Sequence, residues 1–363
     1  FNKTSACDNR AEQVMTINIG FGTLMVSVGA TPVSLLPPIL VAMGYSTYVA
    51  IAVPAIRYDA LCTYALLGAP ILVFVDVANA FLGKGHEISL SQAGMVFFMF
   101  LPIVSTAIGF CMLWIVGRGA ALREGWLPCL ISGLVIGGVS WLTNRHDNLG
   151  VLTGVMCGLA VIAAMVIYLR ASGQALIDRS RLTPEELRYE QVFPLWRALS
   201  PWVILIVLIL QLNVPKDMFN LLYREWRMPI GGVTANGAPL ETRALWQAYT
   251  WILVSVLLSI PFIQPTRAQL KASVLAWWKR APRPVFSAAI FFAIGEVMNM
   301  AGYSISAKGF VVPSMVKVLA DHSAQFFTDT YGMAVACIGR FGGFITGSGA
   351  STTAVFGQYA LAT

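Results

Sequence analysis

Near the end of the chain, Thr346, Gly347, Ser348, Ser351 and Thr352 fall in one run from Gly342 to Thr353. That run is too rich in glycine and hydroxyls for a lipid-facing helix. Hydroxyls and backbone N–H groups gathered this way can replace the water around a small anion. A second such place lies near the start, where Gly29, Thr31 and Pro32 interrupt an apolar stretch. Proline at the opening of a helix leaves neighbouring amides free to point at an anion. Charged side chains in apolar surroundings complete the set. Arg57 has two readings of equal weight, a guanidinium clamp on a carboxylate or a structural ion pair with Asp59. Arg340, six residues before Thr346, is either a substrate or pairing group or an arginine that snorkels. Glu296 lies one helical turn before Asn299, a spacing that puts both on one face. An intramembrane carboxylate is a natural proton carrier; the rival reading pairs Glu296 with Arg57 or Arg340 in a buried salt bridge.

The elements that must hold these groups are membrane helices. Hydrophobic residues make up 57% of the 363 and charged residues 11%, with a mean hydropathy of +0.72. Soluble domains carry charge on about 25% of residues. The deficit defines an all-α polytopic membrane protein. The segment 13–56 carries no charged side chain and is roughly twice the ~20 residues that span a bilayer. It is broken from within by Gly20, Gly22, Gly29, Pro32, Pro37 and Pro38, and broken backbone in a membrane lines a cavity or is buried in protein. After Arg57-Tyr58-Asp59 a second apolar run, with Gly68, Pro70 and Asp76, makes 46–80 two helical pieces around a charged break. Asp76 reads as a structural acid near the interface.

Six ordinary spans follow, at 91–117, 125–142, 149–169, 198–214, 244–262 and 284–306. Lysine and arginine concentrate after alternate spans, including Arg118, Arg170, Arg188, Arg267, Lys271, Lys279 and Arg280. That set faces the cytoplasm by the positive-inside rule, and it explains the net charge of +7 without nucleic acid. The loop 170–197 reads as a solvated cytoplasmic helix. In the loop 264–283, Leu270, Val274 and Trp277 share one helical face between basic ends, which suits an interfacial helix. The chain opens on Phe1 and stops at Thr363 after an uncharged run, so a fragment lacking segments at both ends is expected. The three histidines and six cysteines are scattered, and no nucleotide, hydrolase or metalloprotease motif occurs. No enzyme, cofactor or metal is expected.

At several of these residues the chain resembles the lactate permease family, the bacterial carriers of L-lactate and glycolate. Val28-Gly29-Ala30-Thr31-Pro32-Val33 resembles that family's GFG-x-P-V loop, and Gly68-Ala69-Pro70-Ile71-Leu72-Val73 its Gly-x-Pro-Ile-Leu-Val turn. Asn299, Gly302 and Ser304 match an Asn-x-x-Gly-x-Ser pattern in a late helix. Phe344-Ile345-Thr346-Gly347-Ser348, with Ser351 and Ala354-Val355-Phe356-Gly357, matches a late Thr-Gly-Ser hairpin. The chain departs from the pattern at Val28, Ala30, Tyr58, Asp59, Gly349, Thr353, Arg340 and Glu296.

The resemblance implies an ion-transporter-superfamily-like fold, with inverted repeats, re-entrant hairpins and discontinuous helices. It divides the chain into a polar lead-in (1–12), a first re-entrant hairpin and broken helix (13–90), spanning helices (91–306), and a second re-entrant hairpin region (307–363). It implies an elevator-type secondary transporter of a small organic anion, lactate- or glycolate-like, in a bacterial inner membrane. Its partners would be that anion, a proton or cation, the bilayer, and a homo-oligomer or membrane complex; Glu296, which departs from the family pattern, would carry the coupling ion on the residue reading alone. Taken together with the reading of the individual residues, which alone supplies Arg57, Asp59 and Arg340, the substrate site would be Gly29, Thr31, Pro32, Arg57, Asp59, Asn299, Ser304, Arg340, Thr346, Gly347, Ser348, Ser351 and Thr352. The alternative is a permease-like, non-transporting subunit that scaffolds a larger complex.

Overall fold

The structure is a computed structural model that describes residues 15–30, 32–42, 44–57, 61–82, 85–173, 193–232, 237 and 239–361. The chain is mostly helical. Among the described residues five helical stretches are long and apolar enough to cross a bilayer: Cys62–Asn79, Leu90–Thr143, Thr153–Ala171, Trp196–Asn213 and Arg267–Met300. The chain divides into two compact units. The first takes Phe1–Ala69, Leu90–Phe219 and Gln247–Ile263, the second Pro70–Ser89, Asn220–Trp246 and Gln264–Thr363.

In the first unit, a π-type turn (Met15–Phe21) runs into the helix Gly22–Ser27, and both pack on Thr153–Ala171. Small residues make this approach possible. A methyl group on Gly20 would lie 2.8 Å from Ile162 Cγ1, and one on Gly158 would lie 2.7 Å from the Leu24 backbone nitrogen. Close packing over glycine is how helices associate where lipid offers no hydrophobic drive. The element Leu90–Thr143 is a hairpin: Gly117 and Arg118 leave helical geometry (Arg118 φ +51°) and the two arms fold together. Gly109 sits on Cys129 and Gly133 on Thr106, and Cys129 Sγ donates to Thr106 O at 3.4 Å. The expected spans 91–117 and 125–142 are thus joined by a tight turn, and the residues between them are helical. Leu195–Asn213 pairs with Ala248–Ile263, with Trp196 edge-on to Phe262 at 6.5 Å. Asn148 Nδ2 donates to Asn213 O at 3.2 Å and Val214 O at 3.1 Å, satisfying carbonyls that the helix end leaves open. Pro32–Ala42 and Thr47–Arg57 also pack on each other, around a turn at Gly44 (φ +87°). Each has 11 residues, about 16 Å of helix, against a hydrocarbon core of about 30 Å.

The second unit has its core at Val316, Ala320 and Tyr359, with Met298, Tyr331, Val335 and Ile338 packed around it. The helix Gly349–Leu361 is its centre, touching Pro282–Met300, Met315–Phe327 and Tyr331–Thr346. It also runs in the same direction as the start of the segment after Pro70: Gly349 meets Pro70 and Gly357 meets Val77. The expected span 284–306 is corrected at its end. The helix stops at Met300, and Tyr303–Ser304 pairs with Gly309–Phe310 as an antiparallel hairpin. Gly302 (φ +88°) causes this, because its backbone passes so close to Val312 O that no side chain fits there.

Candidate functional site

The first interruption ends the helix Gly22–Ser27. Val28, Gly29 and Ala30 donate to Leu24 O, Val26 O and Met25 O at 3.1, 3.1 and 2.8 Å. Gly29 (φ +88°) turns the chain out of the helix, and buried Pro32 opens the next one. Facing Gly29 is a second break, which begins two residues before the turn marked in the sequence at Gly68. Leu66 (φ +51°), Leu67 (+56°) and Gly68 (+74°) form a left-handed turn inside Ala65–Leu82. A methyl on Gly29 would collide with Leu66 Cδ2 and lie 3.4 Å from Ile252 Cδ1. Two consecutive leucines in left-handed geometry cost about 1–2 kcal/mol each, so the surrounding packing must hold them there. Just before the turn, Tyr64 is fully buried and its hydroxyl donates to Asn144 Oδ1 at 3.0 Å. Thr153 Oγ1 lies 3.4 Å from the same oxygen and 2.7 Å from Thr143 Oγ1, while Asn144 Nδ2 donates to Ser140 O at 2.8 Å. Thr31, Asp59 and the side chain of Arg57 lie outside the described residues.

The second interruption joins two helices tip to tip. Gly347, left-handed at φ +62°, ends Tyr331–Thr346 by donating to Gly343 O at 2.9 Å. Ser348 then caps Gly349–Leu361, its Oγ accepting from Ser351 N at 3.3 Å. Thr346 Oγ1 and Thr352 Oγ1 are 2.8 Å apart, and each lies within 3.0 Å of Ser348 O. Thr346, Gly347, Ser348, Ser351 and Thr352 therefore lie together at one tip. Gly342 lets the arms close, since a methyl there would meet Phe356 at 2.6 Å.

Asn299 joins the same helix one turn further on. It is buried, its Nδ2 donates to Ala354 O at 3.2 Å, and its Oδ1 has no partner among the described residues. Glu296, three residues earlier, differs from it in burial. The buried positions of this helix are Gly295 and Asn299, four apart, and Glu296 is exposed. Arg340 is exposed as well, and among the described residues no ion pair joins it to Glu296. Among the described residues no hydrogen bond joins Ser304 to the tip: its Oγ stands 2.9 Å from Ser306 Oγ and accepts from Ala307 N within its own β-turn. Asp76 has a partner that the sequence did not reveal, Arg243 at 3.4 Å, whose guanidinium lies 4.4 Å over the Tyr223 ring.

Apolar helices of spanning length, packed over glycines and broken at two places, define a multi-pass helical membrane protein. More narrowly, the chain belongs to the L-lactate permease family, whose model it matches across residues 4–363. It is similar to the L-lactate permease of Bacillus subtilis (strain 168), with 24% identity over 98% of this chain and 66% of that protein. The glycolate permease GlcA of Escherichia coli (strain K12) is 22% identical, with the same coverage. The L-lactate permease of Salmonella typhi is 21% identical over 95% of this chain and 64% of its own length. The chain thus spans just under two thirds of these relatives. No solved structure matches it.

Proposed function

We propose that this chain is the core of a secondary active transporter for a small organic anion of the lactate or glycolate type. It works in a bacterial inner membrane, is coupled to a proton or cation gradient, and moves by an elevator. In this reading the regions 13–90 and 307–363 form re-entrant hairpins of an inverted repeat, and the spans between them provide the scaffold. The anion is held by amides at Gly29–Pro32 and Gly347–Ser348, by the hydroxyls of Thr346, Ser351 and Thr352, and by Asn299 and Ser304. Arg57, with Asp59 beside it, and Arg340 compensate its charge; Glu296 carries the coupling proton.

One observation carries the reading beyond family membership. In the first unit Gly29 turns against the left-handed break at Leu66, and in the second unit Gly347 and Ser348 join two helices at a tip rich in hydroxyls. The two eleven-residue helices after Pro32 also have the length of a re-entrant pair rather than of two spans.

The test is uptake of labelled L-lactate and glycolate into proteoliposomes with and without an imposed pH gradient. Gradient-dependent uptake, reduced in Arg57→Ala and Arg340→Ala, is expected. Undiminished uptake in both variants removes the guanidinium clamp. No uptake of either acid by correctly folded protein points instead to a scaffolding subunit.

A further inference from the structure

The helix Arg267–Arg280 has no buried residue. It does not depend on a neighbour for its start, because Thr266 N donates to Gln269 Oε1 at 2.9 Å and Gln269 N to Thr266 Oγ1 at 3.3 Å. It continues through Ala281 into Pro282–Met300, where Pro282 and Pro284 cannot donate to the helical ladder. The combined Arg267–Met300 stretch has 34 residues, or about 51 Å of helix against about 30 Å of hydrocarbon. Its first turns therefore lie outside the hydrocarbon core. Yet Leu270, Val274, Trp277 and Trp278 recur there at helical spacing, each more than 40% exposed. Held upright in water, that stripe would stay wet; a bend at Pro282 and Pro284, where the helical ladder lacks donors, lays it along the membrane surface and buries it.

Charge decides which lipid covers it. No acidic residue occurs from Gln264 to Gly295, while Arg267, Lys271, Lys279, Arg280 and Arg283 do. Arg267 and Lys271 lie on the same face, among the apolar groups, and with Leu270, Val274, Leu275 and Trp278 line a shallow hollow of about 470 Å³. We propose that Arg267–Arg280 is a surface helix that selects anionic phospholipid, its indoles and aliphatic groups at the acyl boundary and Arg267 and Lys271 on the headgroup phosphate. A zwitterionic lipid satisfies the apolar stripe equally well, so the cations alone set the preference.

The experiment uses the full chain in phosphatidylcholine nanodiscs doped with brominated phosphatidylglycerol or brominated phosphatidylcholine. The emission of Trp277 and Trp278 is isolated by subtracting a W277F/W278F variant. Stronger quenching by the brominated phosphatidylglycerol is expected, with its advantage falling about fivefold for each cation removed in R267Q and R267Q/K271Q. Unchanged thermal unfolding of those variants confirms that they fold. Equal quenching by the two lipids, or none by either, overturns the proposal. So does loss of the preference on adding inorganic phosphate, which would reassign the two cations to a free anion.

Discussion

At the scale of single residues, glycines that look alike differ in what they prevent. A methyl on Gly347 meets nothing within 4 Å, so only its left-handed backbone resists substitution. Asparagine tolerates that backbone and valine does not. Gly347→Asn is therefore expected to keep wild-type thermal stability, while Gly347→Val loses about 1–2 kcal/mol, measured by thermal unfolding in detergent. Gly29 has the same backbone constraint and Leu66 pressed against it as well, so even Gly29→Ala is expected to unfold at lower temperature and to transport less. The Asp76–Arg243 pair should show a different asymmetry. Asp76 is 54% exposed and contributes at most about 1 kcal/mol, whereas Arg243 is 12% exposed and also covers Tyr223. Arg243→Ala should lower the unfolding midpoint well below that of Asp76→Asn; equal losses would show that the ring contact contributes nothing.

At the scale of elements, what could be read in the sequence follows from which residues announce their geometry. Glycine, proline and clustered hydroxyls rarely occur together in a span, so the interruptions at Gly29–Pro32 and Thr346–Thr352 were legible, as was a helix before Pro282. Leucine almost never adopts positive φ, so nothing in the sequence marked the turn at Leu66 and Leu67; only Gly68 and Pro70 hinted at a break. Glu296 and Asn299 were assigned to one face by a three-residue spacing, but burial follows the four-residue spacing of Gly295 and Asn299. Ser304 was carried into a helix that Gly302 had already ended. Pairings across long sequence separations, such as Tyr64 with Asn144, are invisible to any local pattern. That bond lends itself to a direct test of what holds the left-handed turn. Tyr64→Phe removes one donor from Asn144 Oδ1 and leaves Thr153 at 3.4 Å. A loss of about 0.6–1.5 kcal/mol is expected, with faster hydrogen exchange at Leu66–Gly68 than in wild type. Unchanged exchange there would mean that Tyr64 stabilises the scaffold without restraining the break.

At the scale of the whole molecule, orientation follows from where the basic residues fall once the helices are counted in order. The hairpin Leu90–Thr143 brings the chain back to the side on which it began, and Arg118 and Arg123 lie at its turn. Thr153–Ala171 then ends on the same side as that turn, beside Arg170, and Ala248–Ile263 returns there before Arg267. If each helix crosses once, the segment with Lys216, Arg224, Arg227 and Arg243 is expected on the other side, with most of the positive charge at alternate ends. This pattern requires the turn at Gly117–Arg118 to be a true reversal, which the packing of Gly109 on Cys129 and Gly133 on Thr106 provides. It makes a prediction that does not depend on substrate. In a background whose native cysteines are replaced by alanine, Ser172→Cys and Glu225→Cys should react from opposite sides with a membrane-impermeant maleimide. Glu225→Cys should label in intact cells, and Ser172→Cys only after permeabilisation. Labelling of both from outside would mean that one of the intervening helices does not cross, and the alternation of charge would then have to arise from something other than insertion.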